Sequence, residues 1–385
     1  MSGRRWVDVV VTTGFLAVIF SPGLIQCAVE LHRGQRPGAL DVLVRRPSAE
    51  SLRAYENSLE DESWTVQRLR PWMQYLQFAL LNDAGGKALT GLDGWLFYRP
   101  GVEYVIAGGR IPAGPAPGRD PFAAIAAFRD ELALRGIRLV VVPVPNKESV
   151  YPDKVTRRAA GQDGTRCRRT SDLLERLCKA GVETVDLFAV FAETRQRQPE
   201  AANTRLYLVQ DSHWSPAGVA VAAGAAAERI LKQGWVGPGT TDYDALPIHI
   251  ERIGDVLQML QAPWVERAVR PEPILCYQVI QGDGTPYADD PDSEVLVIGD
   301  SFLRIYQTDE PGNAGFIAHL ARALGRPVTS LVGDGGASTL VRQELYRRAG
   351  LLKNKKVVVW EFVERDIELG AEGWQIVPLP HAGPQ

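Results

Sequence analysis

Three polar residues, Ser301, His213 and Asp211, have the side chains that nucleophilic catalysis by a serine requires. Ser301 ends the stretch Val-Leu-Val-Ile-Gly-Asp-Ser, which predicts an apolar strand, a tight glycine turn and a helix that starts at the serine. Such a turn exposes the hydroxyl and directs the backbone N–H of Ser301 toward a developing oxyanion. A bare Gly-Asp-Ser match is also typical of an ordinary turn in which Asp300 or Ser301 caps the next helix. The preceding strand and the Asp-x-His elsewhere in the chain favour the catalytic interpretation.

His213 is the candidate base for this serine, because imidazole titrates near neutral pH. Asp211 lies two residues earlier and could accept a hydrogen bond from the imidazole and hold its tautomer. The alternative is a structural histidine or half of a metal site. No second cluster of histidine or cysteine supports a metal, so the sequence predicts neither a metal site nor a cofactor. The chain has four other histidines, in contexts without further catalytic groups: His32, His249, His319 and His381.

The elements that must position these residues alternate between helix and strand from residue 120 onward, which predicts an open, mainly parallel sheet with helices on both faces. The predicted strands are Arg138–Val144, Glu183–Phe188, Arg205–Val209, Glu294–Ile298, Pro327–Val332 and Lys356–Phe362. The predicted helices are Pro121–Arg135, Thr170–Ala180, Pro216–Lys232, Gly312–Leu324 and Thr339–Leu351. In such sheets ligands bind beyond the carboxyl ends of the strands, so functional side chains are expected directly after each strand.

Two further candidates follow predicted strands. Asn146 could donate from its side-chain amide to an oxyanion, and the adjacent Lys147 is interpreted as a solvated cation. Gly335, within a Gly-Asp-Gly-Gly stretch, could let a backbone amide approach the same oxyanion, although a plain loop fits that stretch equally well.

The amino-terminal segment predicts a membrane anchor over residues 1–30. No charged residue occurs from Val9 to Val29, and a helix of that length spans roughly 31 Å, enough to cross a bilayer core. A buried amino-terminal helix is the alternative. Residues 31–84 are predicted to form stalk or linker helices, and residues 85–385 the catalytic domain. The Pro-rich segment 234–292 is predicted to be an irregular insertion or lid within that domain.

Composition and cysteine usage narrow the possible partners. A net charge of -3 and a pI near 6.0 argue against a nucleic-acid partner. The four cysteines, Cys27, Cys167, Cys178 and Cys276, lack the close pairs of a zinc ribbon. Cys167 and Cys178 could form a disulfide outside the cytoplasm, or all could remain free thiols.

Five motifs together resemble the alginate O-acetyltransferase family of AlgJ and AlgX, which is related to SGNH hydrolases. They are Gly-Leu-Asp-Gly-Trp-Leu-Phe-Tyr98, Val-Pro-Val-Pro-Asn-Lys147 with Val-Tyr-Pro152, Asp-Ser-His-Trp-Ser-Pro-Ala-Gly218, Gly-Asp-Ser301 and Trp-Glu-Phe-Val-Glu-Arg365. Asp211, His213 and Ser301 match the catalytic residues of the family. Trp360 and Arg365 fall in its carboxy-terminal motif, which makes them candidate substrate or oxyanion contacts.

The resemblance implies an SGNH-like domain in the periplasm, held by a single-pass anchor in the bacterial inner membrane. Its implied activity is the transfer of acetyl groups to hydroxyls of an exported, alginate-like polysaccharide through an acetyl-serine. The implied acetyl donor is a membrane-bound O-acyltransferase. The triad fits a polysaccharide acetyl-esterase equally well. The predicted anchor and the nine tryptophans, some of which could stack on sugar rings, leave a second alternative: a non-catalytic sugar-binding subunit of a secretion complex.

Overall fold

The computed structural model describes residues 2–40, 48–49, 52–53, 55–56, 63–107, 120–198, 201–333, 336–369 and 373–380. The chain divides into two compact units. The first comprises Met1–Ala84 together with Ala262–Val269, and the second comprises Gly85–Gln261 together with Arg270–Gln385. Parts of the predicted stalk, such as residues 41–47, lie outside the described residues.

The helices of the described residues are α1 (Ser2–His32), α2 (Trp64–Leu81), α3 (Arg99–Ile106), α4 (Pro121–Ala133), α5 (Lys147–Val150), α6 (Pro152–Val155), α7 (Arg168–Lys179), α8 (Leu187–Arg197), α9 (Pro216–Lys232), α10 (Asp255–Met259), α11 (Pro263–Ala268), α12 (Ser301–Arg304), α13 (Phe316–Leu324), α14 (Leu340–Arg347) and α15 (Asp366–Leu369). The strands are β1 (Ala88–Thr90), β2 (Leu96–Tyr98), β3 (Arg138–Val144), β4 (Glu183–Thr184), β5 (Tyr243–Arg252), β6 (Glu272–Gln281), β7 (Val295–Gly299), β8 (Thr329–Val332) and β9 (Val357–Val363).

Helix α1 is the one candidate membrane span among the described residues. It is long and apolar enough to cross a bilayer over Trp6–His32, and none of its most apolar stretch is buried within the protein. This exposure is compatible with a single-pass anchor and differs from the buried amino-terminal helix that the sequence left as the alternative.

The second unit is built on a five-stranded sheet in the order β4-β3-β9-β7-β8, and each strand pair in it is parallel. The predicted open parallel sheet is therefore confirmed. Because β3, β9 and β7 are neighbours and run in the same direction, the residues that follow them meet at one edge of the sheet.

Helices cover both faces of this sheet, as the sequence predicts. Side chains alternate along each strand, so Val357 and Val359 face one buried cluster while Val358 and Trp360 face another. The first cluster includes residues of α8, α9 and α13, and the second includes residues of α4, α7 and α14. A sheet buried on both faces explains why the strands are almost wholly apolar.

Two predicted strands differ from the structure. Arg205–Val209 forms no strand of the sheet. Its backbone makes one isolated bridge, and two of its N–H groups bond to side chains: Leu206 N–H to the Tyr151 hydroxyl and Val209 N–H to Glu272 Oε2, each at 2.9 Å. The segment predicted as Glu183–Phe188 is a two-residue strand followed by α8, because the Asp186 carboxylate accepts from Ala189 N–H and starts a helix there.

Residues 234–292 are not irregular, in contrast to the prediction, and whether they form an insertion or lid stays a prediction. The segment contains the antiparallel pair β5 and β6, in register from Tyr243 opposite Gln281 to Arg252 opposite Glu272. Its prolines do not break the ladder, because a two-stranded ribbon leaves the outer edge of each strand free of pairing.

Candidate active site

Ser301 begins α12 directly after the carboxyl end of β7, and the predicted strand-turn-helix is present. The Asp300 carboxylate caps the helix by accepting from Phe302 N–H at 2.8 Å. A Cβ atom on Gly299 would lie 2.3 Å from Glu361 Oε2, so glycine leaves room at the turn for the buried carboxylate that accepts from Asp300 N–H. The Ser301 side chain is partly exposed at the strand end.

His213 contacts Ser301 from a different element, the loop of residues 205–215 that leads into α9 and is called here the histidine loop. Its Nε2 lies 2.9 Å from Ser301 Oγ, and its Nδ1 lies 2.7 Å from Asp211 Oδ1. A carboxylate can only accept, so Nδ1 carries the proton and Nε2 is free to accept from the serine hydroxyl. The Ser215 hydroxyl then accepts from Gly218 N–H at 3.1 Å and caps the start of α9.

Asp211 is fully buried, and its carboxylate accepts four hydrogen bonds. His213 N–H and Nδ1–H bond to Oδ1, while Arg252 Nε at 3.0 Å and Asp255 N–H at 3.2 Å bond to Oδ2. The Asp255 carboxylate accepts from Ser212 N–H and Oγ, each at 2.6 Å, and its Oδ2 lies 3.5 Å from His213 Nδ1. The imidazole therefore faces two carboxylates, both held in place by several donors.

This arrangement determines the charge states of the site. Burial would raise the pKa of Asp211, but the adjacent His213 and Arg252 hold it well below its usual range. Burial would lower the pKa of His213, but Asp211 and then Asp255 raise it above its ordinary value. Asp211 is thus ionised at neutral pH, and His213 is a stronger base than a free imidazole.

Lys147 is not the solvated cation that the sequence predicts, because its side chain is only 2% exposed. Its Nζ donates to the carbonyls of Val209 at 2.8 Å and Asp211 at 3.0 Å in the histidine loop. Glu272 accepts from the N–H groups of Val209 and Gln210 in the same loop. Burial lowers the pKa of Lys147 to about 8, against the opposing effect of Glu272. The buried Lys147 and the half-buried Glu272 together fix the backbone that carries Asp211.

Asn146 and Arg365 lie at the same sheet edge as Ser301, after β3 and β9. Asn146 N–H donates to Glu364 Oε2 at 3.0 Å, and Asn146 Oδ1 accepts from Arg365 N–H at 3.2 Å. The Asn146 Nδ2 atom is buried and has no acceptor among the described residues. The Arg365 guanidinium lies over the rings of Tyr98 at 5.3 Å and Phe302 at 5.7 Å. The edge therefore carries a spare amide donor and a cation.

One other candidate, Trp360, is not brought to this edge by the structure, and a second, Gly335, is not among the described residues. The prediction that Trp360 contacts substrate or the oxyanion is wrong. This tryptophan is 0% exposed, its Nε1 donates to Ala337 O at 2.9 Å, and its ring packs in the core, so it has no surface for a substrate. Gly335 lies outside the described residues, and in the described part of its loop Gly333 N–H already donates to Gly299 O at 2.9 Å.

Arg252 and Asp255 are site residues that sequence reasoning missed, because they belong to the segment interpreted as an irregular lid. They come from the end of β5 and the start of α10. Gly254 between them packs against the histidine loop so closely that a Cβ atom there would lie 2.1 Å from the backbone carbonyl of Gln210. The one local signal is this Gly-Asp pair, which matches the pair before Ser301.

Asp211, His213 and Asp255 offer ligand atoms within 4.8 Å of one another, a spacing that could hold a metal ion. The same atoms are already used in hydrogen bonds, and Arg252 supplies a positive charge at 3.0 Å from Asp211 Oδ2. The cluster is therefore suited to orienting an imidazole.

Comparisons with known proteins agree with this geometry. Residues 88–364 match the family described as SGNH hydrolase-like domain, acetyltransferase AlgX. The chain is 24% identical to a probable alginate O-acetylase AlgJ of Pseudomonas aeruginosa over 81% of this chain and 78% of that protein. It is 26% identical to the corresponding AlgJ of Pseudomonas syringae over 79% and 75%.

Solved structures show the same fold. The O-acetyltransferase domain of Pseudomonas putida AlgJ superposes with a TM-score of 0.57 at 22% identity, covering 73% of this chain and 92% of that domain. Pseudomonas aeruginosa AlgX superposes with a TM-score of 0.54 at 20% identity, covering 74% and 64%. Because the family match spans most of its length, the chain belongs to the SGNH hydrolase-like acetyltransferase family of AlgX.

Proposed function

We propose that this protein transfers acetyl groups to hydroxyls of an exported, alginate-like polysaccharide through an acetyl-Ser301 intermediate. The observation that carries the proposal is the continuous chain of hydrogen bonds from Asp211 through His213 to Ser301, in a member of an acetyltransferase family. Such a chain is what a serine needs to become a nucleophile at neutral pH.

In the first half-reaction Ser301 Oγ forms a bond to the acetyl carbonyl carbon while His213 Nε2 takes the hydroxyl proton. The bond to the leaving group then breaks, and His213 returns the proton to it. In the second half-reaction a sugar hydroxyl attacks the acetyl-serine, with His213 again acting as base and then as acid. Asp211 keeps its charge throughout and stabilises the imidazolium.

Two donors support the oxyanion in this scheme. The Ser301 backbone N–H, at the start of α12, has no protein acceptor among the described residues, and the Asn146 Nδ2 is a buried donor without a partner. Asn146→Ala is expected to lower kcat by about 10²-fold with little change in KM, since an oxyanion donor acts mainly in the transition state.

The alginate-like acceptor is suggested by the relatives named AlgJ. Alginate is a polymer of sugar acids, and the Arg365 guanidinium could bind such a carboxylate in addition to the nearby Asp366 and Asp300, which stabilise its charge against burial and raise its pKa. Arg365→Met is expected to raise KM for an acidic oligosaccharide, while Arg365→Lys retains only part of the binding because it lacks the planar fork.

The direct test uses the full chain in detergent with 4-nitrophenyl acetate as donor. Intact mass spectrometry is expected to show one added acetyl group on the native chain and on Ser330→Ala, but not on Ser301→Ala. Alginate oligosaccharides are then added, with a neutral oligosaccharide as control. Acetate release without any acetylated sugar would contradict transfer and favour an esterase. Unchanged polymer acetylation in cells carrying Ser301→Ala would favour a non-catalytic subunit.

We also propose that α1 anchors the protein in the bacterial inner membrane, with the catalytic unit in the periplasm. A membrane-bound O-acyltransferase would deliver the acetyl group there. The length and exposed apolar surface of α1 support the anchor, and an exported polymer requires a site on the outer side. Protease added to spheroplasts is expected to digest the catalytic unit; protection until the membrane is lysed would contradict this topology.

A further inference from the structure

Helix α2 carries an apolar stripe that the described residues leave uncovered. None of its residues is buried, and its exposed large side chains recur at helical spacing. We name this set the α2 stripe: Leu69, Trp72, Met73, Leu76 and Leu80. A continuous apolar surface of this kind marks an interaction site, because water-facing helices normally present polar side chains.

A second tryptophan extends the α2 stripe from another segment of the same compact unit. Trp264 of α11 stacks on Trp72 with ring centroids 4.8 Å apart and an angle of 27° between the planes. Trp264 is still 42% exposed in this stack. The paired indoles therefore add to the uncovered apolar surface.

The charges of α2 fit a surface of anionic lipid. The helix contains no acidic residue, and its only charged side chains are Arg68 and Arg70, both exposed, one on each side of Leu69. Arginine beside tryptophan and leucine is the composition of helices that lie in the interface between lipid headgroups and acyl chains.

A hydrogen bond joins the start of α2 to one position along α1. Trp64 N–H donates to Gln26 Oε1 at 2.9 Å. Gln26 follows Trp6 by 20 residues in one continuous helix, a rise of about 30 Å, which equals the thickness of a bilayer core. If Trp6 marks one face of the bilayer, α2 begins at the other face.

We propose that the α2 stripe, with Trp264, binds the surface of the membrane that α1 spans, with its apolar side chains among the acyl chains and Arg68 and Arg70 at the lipid phosphates. This inference rests on the proposed anchoring by α1. A single spanning helix can rotate about its axis, so a second contact beside it orients the first unit on the membrane.

Two of the three methionines of the chain provide the test. Met73 lies in the α2 stripe and is 55% exposed, whereas Met259 belongs to the second unit and serves as internal reference. The full chain is reconstituted in liposomes of phosphatidylethanolamine and phosphatidylglycerol and treated with hydroxyl radicals in the aqueous phase. Peptide mass spectrometry then gives the oxidation rate of Met73 relative to Met259.

We expect Met73 to be protected in the native chain and oxidised in Leu69→Gln/Leu76→Gln. Replacing two leucines by glutamine removes apolar surface from the stripe and weakens its membrane binding by about a hundredfold. Both leucines are exposed in the protein, so the double variant is expected to fold, which circular dichroism checks. The matched control is Leu134→Gln, at an exposed leucine of the second unit, and it is expected to leave Met73 protected.

Equal oxidation of Met73 in the native chain and the double variant, with the protein still resistant to alkaline carbonate extraction, would overturn the inference alone. Release of the protein by carbonate would overturn the anchor, and the inference with it. Protection of Met73 in native membranes but not in liposomes would overturn lipid as the occupant in favour of a protein.

Discussion

The effect of nearby carboxylates on the pKa of His213 can be tested by removing the charge of Asp255. Replacing it in Asp255→Asn keeps the size of the side chain and an acceptor for Ser212 N–H, but removes one negative charge 3.5 Å from His213 Nδ1. His213 must be neutral to act as base, so kcat/KM falls as the pH drops through its pKa. Because Asp211 and Asp255 both raise that pKa, losing one carboxylate must move the acid limb to lower pH.

The separation of the two groups sets the size of this shift. At the observed 3.5 Å, two unit charges interact by about 1 kcal/mol in water and by about 5 kcal/mol at an effective dielectric constant near 20. One pKa unit corresponds to about 1.4 kcal/mol. We therefore expect the acid limb to move down by at least about one pH unit, and by no more than about three.

The assay follows 4-nitrophenol release from 4-nitrophenyl acetate across the pH range at a wavelength that is independent of its ionisation. Glu251→Gln is the matched control, because it removes an exposed carboxylate from the same strand end. It is expected to leave the acid limb in place. An acid limb in Asp255→Asn that stays where it is in the native enzyme, or moves to higher pH, would refute the assignment of Asp255 as a charge that raises the His213 pKa.

Three other substitutions test the supports of the site. Gly254→Ala places a Cβ atom 2.1 Å from the backbone of Gln210, and we expect kcat to fall about tenfold or more as the histidine loop shifts; unchanged kcat would show that the loop tolerates the displacement. Gly224→Ala is its control, with nothing within 4 Å, and should leave kcat unchanged and raise the free energy of unfolding by about 0.5–1 kcal/mol. Lys147→Met leaves buried carbonyls without a donor and should lower the free energy of unfolding, measured in urea, by roughly 3 kcal/mol; an unchanged urea midpoint would contradict this structural role.

Several features could be predicted because short stretches of chain determine them. The turn from β7 into Ser301 depends on an apolar run and on Gly299, and the start of α9 depends on the neighbouring Ser215 and Pro216. The parallel sheet follows from alternating helical and strand patterns. The length and apolarity of α1 follow from the amino-acid composition of that segment alone. Helix and strand periodicity are local properties, so they can be identified before any tertiary contact is known.

Other predictions failed where a distant partner decided the outcome. Lys147 has the sequence environment of a solvated cation, yet carbonyls more than fifty positions away surround it. Trp360 occupies an ordinary strand position, and only the helices that pack on its face of the sheet bury it.

The catalytic triad and the residues that support it show which features depend on the sequence alone and which depend on tertiary structure. The sequence by itself predicted Ser301, His213 and Asp211 as the groups for acyl chemistry, from their residue types together with the strand before the serine, and the structure brings the three side chains into hydrogen-bond contact. Only the tertiary structure decided that Arg252 and Asp255 complete the site, since they lie about forty positions from their partners. The strength of an electrostatic interaction depends on the distance and burial of both charges, and neither quantity is determined until the chain has folded.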